Sequence, residues 1–342
     1  MMRGMIPGVL SLLLMTMVGC TSVRYFDADQ RSDVALPSVQ SQAYQPAEAI
    51  LAARLVERAY DMNLWHLLHK RGQEADWNPD WFLDPPTGAP LEFDPELLLA
   101  KSGWNKEIPE AFGFVARDDD TLYIALRGTH SANNWYDNLL LQQTLFQADP
   151  EQPIYIGGLE PLVHSGFYRI YMNLRDQLHD RINTYLATPE NPDAPSQPTA
   201  LAGGADPAPP APPVSPKRLV LAGHSLGGAL ATLASLDLAS DPRFEQILLY
   251  TFGSPRVGDS RLAIALKNRG VIVFRFANSE DSVPHLPPSN FSNGKDETQL
   301  YQHVGYPAVF TAQRGSVAGN HSISLYRHII ERDHTAAATH QP

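Results

Sequence analysis

Apolar residues recur along this chain at two spacings, and the spacings predict where its elements lie. Over Ala47–Lys70 they fall at Ile50, Leu51, Leu55, Ala59, Met62 and Leu67, the period of an amphipathic helix. Ala111–Ala116 and Thr121–Leu126 read as the strands of a hairpin that turns through Asp118-Asp119-Asp120. The segment from Val163 to Tyr168 leads into a helix expected to reach about Ala187. Leu219–Ala222 is a short apolar run of the kind found in fully buried strands. Beyond a tight turn, an Ala/Leu-rich stretch to Leu238 has strong helix propensity. A strand at Gln246–Phe252, a helix ending at Arg269 and a β-branched, aromatic strand at Val271–Phe276 follow. Residues 300–311 are expected to form a further hairpin, and Asn320-His321-Ser322 to open a last helix ending near Glu331. Residues 72–110 carry Trp77, Trp81 and Trp104 among Asp, Pro and Gly, and read as loops packed over the domain.

The ends and one interior stretch break this pattern. Arg3 followed by the apolar run Ile6–Val18 reads as a leader too short to span a bilayer comfortably. It ends in Met17-Val18-Gly19-Cys20, which resembles the lipobox of bacterial lipoproteins and predicts lipidation of Cys20, the only cysteine in the chain. An ordinary cleaved signal peptide is the competing reading. The expected layout is a leader at 1–19, a lipidated tether at 20–46, a folded domain at 47–331 and a flexible tail at 332–342. Between Pro189 and Pro216, ten of 28 residues are proline and none is aromatic, so this insertion cannot bury enough surface to fold and is expected to be disordered. Threonine rather than aspartate after Cys20 favours an outer-membrane envelope lipoprotein, with secretion as the alternative.

Length and composition narrow the class further. The chain has 342 residues, 43% of them hydrophobic and five of them tryptophan, which suits one large α/β domain with appendages. A net charge of −11 with no Lys/Arg cluster argues against a nucleic-acid partner. The acidic triplet at 118–120 reads as a solvated turn rather than a metal site, because no further ligands sit at metal-binding spacing.

The candidate chemistry centres on Gly223-His224-Ser225-Leu226-Gly227, a G-x-S-x-G turn between the buried strand and the Ala/Leu-rich helix. Such a turn strains the central residue, lifts its hydroxyl clear of the sheet and requires glycine two positions to either side. The amide of Leu226, at the helix N-terminus, points where an oxyanion would develop. A strand-end glycine, Gly128, precedes Thr129, which offers both an amide and a hydroxyl. Trp135 and Leu139, four apart, would share one face of a short helix. His164 reads as a buried, hydrogen-bonded histidine near the site, with a catalytic role as the lesser alternative.

Taken in order, LRGTHSANNW, VHSGFY, GHSLGG, FGSPRVGD, NSEDSVPHLPP and NHSISLY resemble the motifs of the class 3 lipases over roughly residues 47–331. The resemblance implies an α/β-hydrolase fold, a mostly parallel central sheet with helices on both faces. It assigns the nucleophile to Ser225, the acid to Asp281, the base to His321 and the oxyanion donors to Thr129 and Leu226. It also places a lid over His130–Leu141, with Trp135, Leu139 and His164 as lid or substrate-binding residues. The implied reaction is hydrolysis of acylglycerol or phospholipid esters without cofactor or metal. Short-ester hydrolysis or acyl transfer on the same triad is the alternative, and a non-catalytic envelope lipoprotein a more distant one. Rivals exist within the sequence. Glu280 adjoins Asp281, but neighbours on an extended segment point opposite ways. Asp259 opens a helix, where capping is its ordinary role. His285, His303 and His328 compete with His321, and His285 lies only four residues beyond the acid.

Overall fold

The computed structural model describes residues 44–69, 91–94, 96–101, 109–118, 120–129, 142–186, 217–292 and 298–339. The leader, Cys20 and most of the tether lie outside the described residues. So do Trp77, Trp81, Trp104, the expected lid with Trp135 and Leu139, the proline-rich insertion, and residues 340–342.

The periodic stretch at the start of the domain forms helix α1 (Pro46–His69), followed by short strands β1 (Glu92–Phe93) and β2 (Leu98–Ala100). Strands β3 (Glu110–Arg117) and β4 (Thr121–Leu126) are the expected hairpin, and Asp118 closes its turn by accepting the amides of Asp120 and Thr121. Strands β5 (Gln143–Leu145) and β6 (Leu162–His164) pair apart from the main sheet, and helix α2 (Ser165–Leu186) follows. Then come β7 (Arg218–His224), α3 (Leu226–Leu238), β8 (Gln246–Phe252), α4 (Ser260–Asn268) and β9 (Ile272–Asn278). A hairpin of β10 (Asn290–Ser292) and β11 (Thr298–Leu300) precedes β12 (Tyr306–Phe310), a short helix α5 (Val317–Asn320) and the last helix α6 (Ile323–Thr339).

Among the described residues, the main sheet runs in the order β1, β3, β4, β7, β8, β9, β12, with β2 also pairing β3. From β4 to β12 every neighbour is parallel. Alternation along each strand feeds two apolar layers. In β7, Leu219 and Leu221 pack on the side of α2, α3 and α4, whereas Val220 and Ala222 pack on the side of α1 and α6. The chain is therefore an α/β protein with helices on both faces of a mostly parallel sheet.

Helix α3 is deeply enclosed, and every residue in it except Asp237 is buried. Burying one leucine is worth about 1.5–3 kcal/mol, and Leu226, Leu230, Leu233, Leu236 and Leu238 all contribute. Asp237 anchors α3 to α2, accepting from the hydroxyl of Tyr171, from Arg175 Nε at 2.9 Å and from His179 Nε2 at 2.9 Å. The helix that begins one residue past Ser225 is thus held firmly. Register does the rest: Leu126 lies beside Gly223, His224 beside Phe252, and Phe252 beside Phe276. The carboxyl ends of β4, β7, β8 and β9 stop in line, the edge where open α/β sheets gather reactive groups.

Three expectations change. Residues 300–311 do not form a hairpin: Tyr306–Phe310 is a parallel edge strand against β9, and the hairpin lies earlier, at β10 and β11. Alternation of Ala308 and Phe310 with exposed neighbours revealed a strand but not its partner. His321 does not sit inside an opening helix but at the C-terminal cap of α5, before α6 begins. The domain also does not stop at Glu331, because α6 continues through the expected tail to Thr339.

Candidate active site

Ser225 stands at the turn between β7 and α3 with φ 57° and ψ −128°. It is the only non-glycine residue with positive φ among the described residues. Such strain persists only where the surroundings impose it, and here backbone crowding does so. A Cβ on Gly223 would lie 2.2 Å from the carbonyl oxygen of Gly227, and one on Gly227 would lie 2.2 Å from that of Leu126. The serine is held from both sides, donating its amide to Phe252 O at 3.0 Å and accepting Gly228 N at 2.9 Å. Leu226 is the first residue of α3, so its amide is among those a helix leaves without an internal partner.

Asp281 lies just beyond β9 and is 1% exposed. Its Oδ2 accepts from His321 Nδ1 at 2.7 Å and from the hydroxyl of Tyr326 at 2.7 Å, while Oδ1 accepts the amide of Val283 at 3.0 Å. Three donors compensate a buried carboxylate. With Nδ1 given to Asp281, the other ring nitrogen of His321 is left to exchange protons. That Nε2 is buried and has no hydrogen-bond partner among the described residues, so the link to Ser225 Oγ is not closed here. Catalytic hydrogen bonds commonly tighten only when substrate orders the site.

His224, beside the serine, lies against His321 with ring centroids 4.5 Å apart. Its Nε2 is 2.7 Å from the carbonyl oxygen of His321. Burial, and then the neighbouring His321, push its pKa well below the usual histidine range. Thr129 follows the end of β4 and is partly buried. The fully buried Arg127 fixes the backbone before it, donating to the carbonyls of Ala111 and Gly128 and pairing with Glu110 at 3.0 Å.

The rivals separate cleanly. Glu280 points away from His321 and accepts from Gln313 at 2.9 Å on the surface. Asp259 caps α4, accepting the amides of Arg261 and Leu262. His285 and His328 are exposed, and His303 donates to the carbonyl of Pro284 at 2.7 Å. His164 is the buried, hydrogen-bonded histidine expected near the site. It is 1% exposed, and its Nδ1 accepts the amides of Gly166 and Phe167, so it caps the N-terminus of α2. Burial pushes its pKa down to about 4.

The protein-family model described as lipase (class 3) matches residues 123–194 and 213–291. Over those residues the chain is similar to the class 3 lipases. The match takes in Thr129, Ser225 and Asp281 and ends before His321. Over 201 residues the chain is 31% identical to a lipase of Rhizomucor miehei, covering 57% of this chain and 46% of that protein. It is 27% identical over 208 residues to the chloroplastic phospholipase A(1) DAD1 of Arabidopsis thaliana, covering 58% and 41%. The chain thus spans less than half the length of these curated relatives. Among solved structures, the triacylglyceride lipase of Rhizomucor miehei is similar at 21% identity and a TM-score of 0.47, covering 82% of each chain. The lipase of Rhizopus microsporus var. chinensis gives 18% identity and a TM-score of 0.49, covering 88% of this chain and 96% of the other.

Several residues at the site escaped the sequence reading. Tyr326 gives its hydroxyl to Asp281 and accepts the amide of Asn278 at 3.0 Å. Asn278 in turn holds the loop before His321, donating to Asn320 O at 3.0 Å and to Ala312 O at 2.9 Å. Gly253, with φ +57°, passes under the Asp281–His321 pair so closely that a Cβ would meet Asp281 Oδ2 at 2.9 Å. The one local sign was a strand ending in glycine at the site edge, as β4 also does through Gly128.

Proposed function

We propose that this chain is a class 3 lipase, a serine carboxylic-ester hydrolase acting on acylglycerols or phospholipids, with Ser225, Asp281 and His321 as its triad. The observation that carries the reading is the buried Asp281–His321 bond of 2.7 Å, formed at the same sheet edge as the strained Ser225. A serine hydroxyl is a poor nucleophile until a base removes its proton, and the base needs a carboxylate to fix its tautomer. Asp281 Oδ2 holds the Nδ1 proton of His321, leaving Nε2 to take the Ser225 proton as Oγ attacks the acyl carbon. The amides of Leu226 and Thr129 stabilise the oxyanion, and His321 returns the proton to the departing alcohol. Water, activated by the same nitrogen, then releases the acid. Relatives named lipase, phospholipase A(1) and mono- and diacylglycerol lipase support the substrate class.

The finer placement is also an inference. Met17-Val18-Gly19-Cys20 supports lipidation at Cys20 and anchorage in the cell envelope. Among the described residues no helix is long and apolar enough to cross a membrane.

The test is hydrolysis of p-nitrophenyl esters of two to sixteen carbons by the parent and by Ser225→Ala. Loss of the nucleophile lowers kcat by about 10⁴-fold or more. A Ser225→Ala protein as active as the parent would sink the proposal. Release of acid that rises with chain length supports a lipase, and product appearing only on an added alcohol overturns hydrolysis in favour of acyl transfer.

A further inference from the structure

Tyr60 sits on α1, 68 positions before Gly128 and 164 before His224, yet its hydroxyl touches both. It accepts the amide of Gly128 at 2.9 Å and lies 2.7 Å from Nδ1 of His224. Nε2 of His224 lies 2.7 Å from the backbone carbonyl oxygen of His321. An amide N–H only donates and a carbonyl only accepts, so Nε2 of His224 carries a hydrogen. Burial favours the neutral ring, and in that form Nδ1 is bare and accepts the hydroxyl of Tyr60.

The Gly128 end leads to the oxyanion site. The two halves of a trans peptide point in opposite directions, so a grip on the carbonyl of Gly128 orients the amide of Thr129. Arg127 supplies that grip from one side, and Tyr60 holds the amide of Gly128 from the other. Space is short at this point. A Cβ on Gly128 would lie 2.6 Å from Cβ of Ser225 and 2.7 Å from the hydroxyl of Tyr60.

We propose that Tyr60 is a positioning residue, tying the oxyanion-donor backbone at Gly128–Thr129 through His224 to the backbone of His321. The inference rests on the ester-hydrolase reading above. The hydroxyl acts on two catalytic elements that come from distant parts of the chain, and keeps the oxyanion donor and the base in register with Ser225. Its contribution belongs to the transition state, where the Thr129 amide meets developing charge, and not to the binding of the neutral ester.

Tyr60→Phe in the full chain keeps the ring, whose centroid lies 5.7 Å from that of His224, and removes only the hydroxyl. The assay follows p-nitrophenyl butyrate hydrolysis, with active sites counted by stoichiometric reaction with diethyl p-nitrophenyl phosphate. A positioning role lowers kcat per titrated site by about 10- to 100-fold, with KM within about twofold. Affinity for a trifluoromethyl ketone, which forms an oxyanion on Ser225, falls by the same factor as kcat/KM. A Tyr60→Phe protein with parental kcat per site overturns the inference while leaving the proposed function intact. So does a loss explained wholly by fewer titratable sites or by KM, since that marks a structural role. A parent chain that hydrolyses no ester overturns the proposed function and this inference together.

Discussion

Gly253→Ala tests whether the Asp281–His321 pair needs its present position. Gly253 has φ +57°, and an alanine Cβ there would stand 2.9 Å from Asp281 Oδ2 and 3.1 Å from both Cε1 and Nδ1 of His321. Ordinary contact begins near 3.4 Å, so Oδ2 has to retreat by about 0.5 Å. That oxygen accepts both His321 Nδ1 and the hydroxyl of Tyr326 at 2.7 Å, and both bonds stretch when it moves. A misplacement of about 1 Å at a reacting group costs roughly 100-fold, so half that distance is expected to lower kcat about 10-fold. Stability falls as well. An L-residue at positive φ costs about 1–2 kcal/mol, partly offset by the narrower unfolded state of alanine, and weakening a hydrogen bond to a buried charge adds about 1–2 kcal/mol. Gly270→Ala is the control, because Gly270 has φ +75° with nothing within 4 Å of an added Cβ. It carries the backbone strain without the collision. Its melting temperature is expected to drop by a few degrees with kcat unchanged, whereas Gly253→Ala drops further and loses activity per titrated site. Parental kcat in Gly253→Ala would refute the reasoning, since the pair would then be free to shift without consequence.

Stability depends on pH through His164. Its pKa falls from 6.5 to about 4 on folding, so between those values the unfolded chain binds the extra proton. The stabilisation is present in full above pH 6.5 and is lost as pH falls toward 4, about 3 kcal/mol in all. Asparagine caps helices without titrating, so His164→Asn is expected to flatten urea-denaturation stability over that window; equal slopes in the two proteins would exclude His164 as the source. Cys20→Ser is expected to abolish incorporation of labelled palmitate in a bacterial host and to release the protein from the membrane fraction. Retained label would place the acyl group elsewhere.

The elements most legible in the sequence were those whose evidence is local. Gly223 and Gly227 flank a serine between an apolar strand and an Ala/Leu-rich helix, and the same few residues both announce the turn and crowd it. The strands at β4, β7 and β8 could be read because continuous burial leaves an apolar run. Alternation said only that one of Asp281 and Glu280 could face the site, and the resemblance picked Asp281; the two side chains do face opposite ways, one toward His321 and the other toward Gln313. What escaped was long-range. Tyr326 and Asn278 brace the acid and the base across 48 residues of chain, and Tyr60 reaches the site from a helix that its own periodicity marks only as amphipathic. The apolar alternation of β12 gave a strand, but nothing in it distinguished a parallel edge from a hairpin arm. His164 was recognised as buried and hydrogen-bonded, yet its cap on α2 depends on where that helix starts.

The pairing of His224 with His321 shows why burial and chemistry have to be read together. In the proposed reaction His321 becomes an imidazolium for part of each cycle, and a second imidazole lies 4.5 Å from it, centroid to centroid. Were both charged, their repulsion would be about 4 kcal/mol at an effective dielectric of roughly 20, opposing the step that Asp281 assists. His224 avoids this by being deeply buried and by spending its only ring hydrogen on the carbonyl of His321. Protonating it would require Nδ1 to give up the hydroxyl of Tyr60 as a donor. In the proposed triad, the residue before Ser225 thus holds His321 in place with a neutral hydrogen bond, and leaves the carboxylate of Asp281 as the charge that answers it.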